Sequence, residues 1–265
     1  MSRSLRVAYK TVAIAICLAA ALVQYAATRI IRRPPDILWR AAWLRTWCRR
    51  VLRILGARVE LSGEMPRSEL VVANHLSYLD ILVFSSIAPA VFVAKMEVKS
   101  WPVIGLMARL GGAIFTDRKR LKLLPETVAQ TEAALRAGAL VVVFPESTTT
   151  DGSLILPFRP ALFEAAVRSR IAVRCAHIWY TDEEGHFARN LCWFGEVNMV
   201  RHLAGAFAMR SITARLRLAD DSTSYRCRKT AAHATFNQVS LLGGGASRTA
   251  PRREIVASVA ATEAQ

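Results

Sequence analysis

The chain has 265 residues, 53% of them hydrophobic, a formal net charge of +16 and a pI near 10.6. That length fits one compact domain with an appendage, and the charge calls for an anionic partner, either nucleic acid or an anionic membrane. The five cysteines (Cys17, Cys48, Cys175, Cys192, Cys227) are scattered and form no C-x-x-C pair, which argues against a disulfide framework and a zinc site and fits a reducing compartment.

The amino terminus favours the membrane as that partner. From Thr11 to Thr28 the chain is almost wholly apolar, with Arg3, Arg6 and Lys10 before it and Arg29, Arg32 and Arg33 after it. Such a run is long enough to cross a bilayer as one helix. A signal peptide is the competing reading, but no clear cleavage segment follows. Cations on both flanks leave its orientation open. After Pro34-Pro35, Ile37, Ala41, Leu44, Cys48, Val51 and Leu55 recur at spacings of three and four. They predict a second helix from about Asp36 to Leu55. Arg45, Arg49 and Arg53 form a second stripe, joined by Arg40 and Arg50, and Trp39, Trp43 and Trp47 lie among them. A basic helix rich in tryptophan suits the lipid–water boundary; a surface helix packed on the core is the plainer alternative. Charge crowded beside an apolar span fits a bilayer better than nucleic acid, which needs aromatic platforms or a reading helix.

Gly56 ends the second helix. Ala57 to Leu61 reads as an edge strand and Leu70 to Ala73 as a buried one. A helix starts at Ser77 and is stopped by Pro89. Ala90 to Ala94 is a strand, Pro102 to Leu110 a short helix broken by Gly111-Gly112, and Ala113 to Phe115 a short strand. An amphipathic helix covers Pro125 to Ala137. Ala139 to Phe144 is continuously apolar, as a strand buried on both faces is. A helix from Ala161 to Arg168, a strand from Ile171 to Tyr180, a turn at Asp182 to Gly185 and a further strand through Trp193 follow. A helix near Val200 to Met209, a strand near Ile212 to Leu218 and a helix near Tyr225 to Leu242 close the domain. The expected organisation is therefore a membrane helix plus basic amphipathic helix (1–56), an α/β domain with a mixed, mostly parallel central sheet flanked by helices (57–242), and a disordered tail (243–265).

Three of the buried strands end in polar residues: Asn74-His75, Asp117-Arg118 and Pro145-Glu146. Strand ends are where α/β folds gather their sites. His75 sits where one strand stops and a helix has not begun. Histidine is suited to removing a proton near neutral pH, and Asp80 in the first helical turn can reach its far nitrogen. The same residues read equally as local structure: Ser77-x-x-Asp80 is an N-capping box with Asp in place of Glu, with His75 a polar turn residue.

Taken together these blocks resemble the glycerolipid acyltransferase family, whose best-known members make phosphatidic acid from 1-acylglycerol-3-phosphate. Asn74-His75-x-x-x-x-Asp80 matches its first block. Gly112-Ala113-Ile114-Phe115-Thr116-Asp117-Arg118 is similar to its second and Phe144-Pro145-Glu146-Ser147-Thr148 to its third, and Pro157-Phe158-Arg159 with Phe163 is similar to the segment that follows. The resemblance runs from about Leu70 to Tyr180. It implies transfer of an acyl group from a thioester, on coenzyme A or acyl carrier protein, to a lipid hydroxyl, with no cofactor, no metal and no covalent intermediate. His75 would be the general base and Asp80 its orienting partner. Arg118 would bind an anionic head group or carrier phosphate, and Glu146, Ser147 and Thr148 would form the acceptor side. Lys95 would add positive field there, unless it is simply solvated.

The departures bear on the acceptor. The family's third block usually carries Gly after the Glu and Arg after the Thr; here Ser147 and Thr149 stand in those places. The missing arginine would have made a bidentate phosphate contact. The Glu146 to Gly152 run and Trp193-Phe194-Gly195-Glu196 look more like the branch that acylates lyso-ornithine lipid, whose acceptor has no phosphate. The expected partners are membrane lipids, a lysolipid acceptor and an acyl thioester, with no nucleic acid and no oligomeric state specified. The expected location is a bacterial inner membrane, with the catalytic domain on the cytoplasmic side. Two other functions use the same residues: hydrolysis of the thioester by His75, Asp80 and water, and a non-enzymatic anchored protein that binds anionic lipid.

Overall fold

The computed structural model describes residues 2–31, 36–116 and 124–244. Seven strands form one sheet: β1 (Ala57–Ser62), β2 (Leu70–Ala73), β3 (Ala90–Lys95), β4 (Ile114–Thr116), β5 (Leu140–Val143), β6 (Val173–Thr181) and β7 (Ile212–Thr223), in the order β1-β7-β6-β2-β5-β3-β4. Every neighbouring pair is parallel except β6 with β7. The mixed, mostly parallel sheet expected from the pattern is therefore present, with β1 at one edge. β2 lies between β5 and β6, so the residue that follows it emerges at the middle of the sheet's carboxyl edge.

The apolar runs of β2 and β5 are buried throughout, because helices cover both faces. Alternate residues serve opposite cores. Val71, Ala73, Leu140 and Val142 join a cluster with α1 (Arg3–Ile31), α2 (Ile37–Leu55) and α3 (Leu79–Ile87). Leu70, Val72, Val141 and Val143 join one with α5 (Leu124–Arg136), α6 (Glu164–Ser169) and α8 (Arg228–Leu242). The remaining helices, α4 (Ile104–Leu110) and α7 (Met199–Ala208), sit beside the first cluster.

α1 is long and apolar enough to cross a membrane, yet it lies along the domain. Cys17, Ala21 and Tyr25 are buried in the first core. The buried Lys10 donates to the carbonyls of Leu55 (2.6 Å) and Met209 (2.8 Å), and Arg6 donates to that of Ala208. These cations satisfy the open carbonyl ends of α2 and α7. Leu5, Tyr9, Val12, Ile16, Val23 and Ile30 remain exposed on α1.

α2 starts and stops as its ends dictate. Asp36 accepts from the backbone N–H of Trp39 at 2.7 Å, and Gly56 closes the helix in the left-handed region at φ 72°. Its arginines and tryptophans do not share one face. Arg49, Arg50 and Arg53 are exposed, but Trp43 and Trp47 are buried. Tyr25 of α1 meets Trp43 edge-on at 5.1 Å, and the Trp47 indole donates to the Gln24 side chain at 2.8 Å. Two of the three tryptophans expected at the lipid boundary, Trp43 and Trp47, therefore join α2 to α1.

Two local expectations need correction. The helix after β2 begins at Leu79, not Ser77. No strand runs on to Trp193; that segment has a single bridge between Thr181 and Phe187 and a 3-10 turn at Arg189–Leu191. Its backbone is drawn elsewhere, since the Trp193 N–H donates to the Leu76 carbonyl at 2.8 Å, and its Arg189 side chain pairs with Asp151 at 2.6 Å.

Candidate active site

The last turn of β2 is locked before the histidine is reached. Asn74, buried, donates through its amide to the Ile178 carbonyl (2.9 Å) and accepts from the Ile178 N–H (2.8 Å). This side-chain bridge continues the β2–β6 ladder one residue past the strand. His75 then leaves the sheet, its ring stacked on Phe144 at 4.1 Å with 10° between the planes.

His75 Nδ1 lies 2.7 Å from Asp80 Oδ2. A carboxylate only accepts, so Nδ1 carries the hydrogen and Nε2 the lone pair. The His75 side chain is 19% exposed while that of Asp80 is fully buried. Asp80 Oδ2 also accepts from the N–H groups of Leu76 (2.8 Å) and Ser77 (3.1 Å). The capping box and the His–Asp pair are therefore not alternatives: one oxygen caps the turn and holds the imidazole. Only half the box is made, since Ser77 Oγ is buried without a hydrogen-bond partner among the described residues. Oδ1 accepts from the Tyr180 hydroxyl at 2.5 Å.

Glu146 is buried at the end of β5 and acts on the same turn from the other side. Its two oxygens accept from the backbone N–H groups of His75 and Leu156, each at 2.7 Å. Burial pushes its carboxyl up to about 8, against the pull of those two N–H donors towards the charged form. Ser147 follows in the left-handed region at φ 73°, and its hydroxyl donates to the Pro145 carbonyl at 3.3 Å. Thr148 is exposed beyond it. Lys95 ends β3, exposed on the same carboxyl edge. Arg118, with Asp117, lies outside the described residues.

The arrangement thus brings His75, Asp80 and Glu146 together, though Glu146 reaches the site through backbone N–H groups. Sequence reasoning named Phe144 only within the third block and Tyr180 only as a strand end, and missed their contacts with His75 and Asp80. Tyr180 had a signal: a buried tyrosine at a strand's end needs a partner for its hydroxyl, and strand alternation puts it on the Ala176–Ile178 face. An aromatic ridge borders the site, where Tyr78 and Trp101 meet Trp193 at 6.0 Å and 5.2 Å. A separate groove of about 440 Å³, lined by His177, Trp179, Phe187 and Arg217 among others, opens beside β6. His177 and Trp179 alternate with Ile178 and Tyr180, so this groove is on the other face of the sheet.

An imidazole whose Nδ1 faces a buried carboxylate, at the carboxyl edge of an open α/β sheet, has the arrangement of the general-base sites found in transferases and hydrolases. Residues 58–179 match the Acyltransferase family. A lyso-ornithine lipid O-acyltransferase of Brucella abortus is 33% identical over 208 residues, covering 72% of this chain and 78% of that protein. One of Rhizobium meliloti is 39% identical over 178 residues, covering 62% of this chain, and the chain spans 61% of that relative's length. The fold matches the crystal structure of the 1-acyl-sn-glycerophosphate (LPA) acyltransferase PlsC from Thermotoga maritima, with a TM-score of 0.66 and 17% identity over 94% of this chain and 98% of that one. The chain belongs to the acyltransferase family.

Proposed function

We propose that this chain is a membrane-associated O-acyltransferase that moves a fatty acyl group from an acyl thioester, on acyl carrier protein or coenzyme A, to the free hydroxyl of a lysolipid. The observation that carries this reading is the 2.7 Å contact between His75 Nδ1 and Asp80 Oδ2 at the sheet's edge. Nε2 removes the acceptor's hydroxyl proton as its oxygen bonds to the thioester carbonyl carbon. Asp80 stabilises the imidazolium that results. The carbon–sulfur bond then breaks, and the imidazolium returns the proton to the leaving thiolate. Lys95 and Arg118 supply positive charge near the acceptor or donor phosphate, and Ser147 and Thr148 border the acceptor.

Lyso-ornithine lipid is the favoured acceptor. Thr149 stands where the family's third block usually has a phosphate-binding arginine, and the Brucella and Rhizobium relatives carry that acceptor in their names. Lysophosphatidic acid is the second reading, favoured by Neisseria relatives, 42% identical over 123 residues, that carry 1-acyl-sn-glycerol-3-phosphate in their names. Attachment to the membrane rests on the exposed apolar face of α1 and the outward arginines of α2. α1 is tied to the domain from Lys10 to Tyr25. The buried Lys10 would be costly in hydrocarbon, which favours a helix lying along one leaflet over one that crosses the bilayer. Five free cysteines suit a catalytic domain on the cytoplasmic side of a bacterial inner membrane.

The test is transfer of a labelled acyl group from each thioester to a panel of lysolipids in detergent. A new diacyl lipid formed from lyso-ornithine lipid supports the reading. Free fatty acid without any new diacyl lipid makes the protein a thioester hydrolase instead.

A further inference from the structure

We infer that Tyr180 is a positioning residue for the His75–Asp80 pair, holding the Asp80 oxygen that faces away from the histidine. This rests on the general-base reading of His75 given above. Asp80 lies in the first turn of α3 and Tyr180 near the end of β6, 100 residues later. Three donors converge on Oδ2: His75 Nδ1, Leu76 N and Ser77 N. Oδ1 has the Tyr180 hydroxyl at 2.5 Å. Asp80 and Tyr180 are both buried, so no solvent replaces that donor. Without it, Oδ1 is left desolvated and unpaired, and the carboxylate is held through Oδ2 alone.

The hydroxyl remains a donor throughout the range in which the site would work. Burial first, and then the charge of Asp80, hold the phenol well above its ordinary value of 10.0. The titratable groups around the carboxylate come from several elements. They are His75 after β2, Tyr78 before α3, Glu146 after β5, Cys192 in the loop beyond β6, and Tyr180 itself; Asp151 and Arg189 lie further out. Among the described residues, none of the others hydrogen-bonds Oδ1. Tyr180 therefore sets how much of the carboxylate's charge is spent away from the imidazole. A donor on Oδ1 disperses negative charge; its loss concentrates charge on Oδ2 and favours the protonated, inactive imidazole.

The test compares Tyr180→Phe, which removes only the hydroxyl, with the unaltered full-length protein in detergent. Three quantities are read: acyl transfer against pH, the KM for acceptor, and the pH titration of the His75 ring by NMR in the resting protein. The inference expects kcat to fall about tenfold with KM within about twofold. It also expects the acid limb of the rate profile and the His75 titration to move to higher pH by about half a unit or more. Fluorinated tyrosine at position 180, a stronger donor of the same shape, moves both the other way and serves if the phenylalanine variant does not fold. Titrations that coincide for all three side chains overturn the inference. If the unaltered protein transfers no acyl group, the functional reading fails, and the His75 titration still decides the role of Tyr180.

Discussion

Glu146 accepts a 2.7 Å hydrogen bond from the backbone N–H of His75, joining the ends of β5 and β2. Its other oxygen takes the N–H of Leu156 at the same distance. The carboxyl therefore stands where water would otherwise be needed, between the histidine's backbone and the loop from Thr150 to Leu156. That loop is tied to the histidine a second time, since Thr150 N–H donates to the His75 carbonyl at 3.0 Å. The histidine is thus held by this backbone clasp as well as by Asp80.

The clasp has a pH signature. Burial raises Glu146 from its ordinary 4.5 to about 8. Between those values the folded chain binds more protons at this site than the unfolded chain. Stability from this group is therefore complete below about 4.5 and is lost as pH rises through about 8, with a slope of at most about 1.4 kcal/mol per pH unit. Glu146→Gln removes the titration and sets an amide N–H₂ against one of the two donors. The expected outcome is a lower Tm whose remaining pH dependence is flatter between pH 5 and 8 (roughly the window above). A Tm profile parallel to that of the unaltered protein contradicts it.

Ser147 adopts φ 73°, a backbone region that costs a residue with a Cβ about 1–2 kcal/mol. Glycine escapes that cost but loses about 0.4–1 kcal/mol in chain entropy. Because glycine also loses the Ser147 hydroxyl's bond to the Pro145 carbonyl, Ser147→Gly is expected to change stability by less than about 1 kcal/mol, and Ser147→Val to lower it by about 2 kcal/mol or more, since a branched side chain is disfavoured there. Denaturant midpoints of both variants check the size of each.

Lys10 is the polar anchor of α1, with its amine on the Leu55 and Met209 carbonyls. Lys10→Met keeps the apolar stem and leaves both carbonyls without that donor. A loss of about 2–4 kcal/mol follows from two charge-assisted bonds. Limited proteolysis should then cut around α1 first, before the sheet. Cleavage confined to other segments runs against this role.

The outward side of α1 is expected to hold the membrane. Val12→Asp with Ile16→Asp places two charges on exposed apolar positions and touches none of the buried ones. Binding to anionic vesicles in a flotation assay should fall at least tenfold, while the Tm stays within about 2 °C (roughly a surface change). Unchanged flotation places the lipid contact elsewhere.

The sequence carried the sheet well because β2 and β5 are apolar without interruption, and only a strand covered on both faces tolerates that. It carried His75 and Asp80 because the pair is local, five residues apart. What it could not carry was long-range pairing. Tyr180 reaches Asp80, and Asn74 reaches Ile178, across roughly a hundred residues of intervening chain, and neither leaves a periodic mark. The tryptophans of α2 misled for a related reason. Trp43 and Trp47 share the helix with exposed arginines, yet they turn towards α1. The segment before Trp193 reads as a strand by its residues, but its backbone is claimed by Leu76 and its side chains by Asp151.

Asp80→Asn is expected to disable the site without unfolding it. An amide can present its N–H₂ to the histidine and favour the wrong tautomer. Acyl transfer should fall roughly 10²–10⁴-fold, with the helix start only mildly weakened. Retention of half the activity or more would remove the orienting role from Asp80.

The most direct measurement is acyl transfer by His75→Ala, assayed with labelled acyl thioester and lyso-ornithine lipid beside the unaltered protein, with Tm recorded on the same samples. The account predicts a loss of roughly 10²–10⁴-fold at a Tm close to that of the unaltered protein. Transfer at an undiminished rate by the folded variant would contradict it.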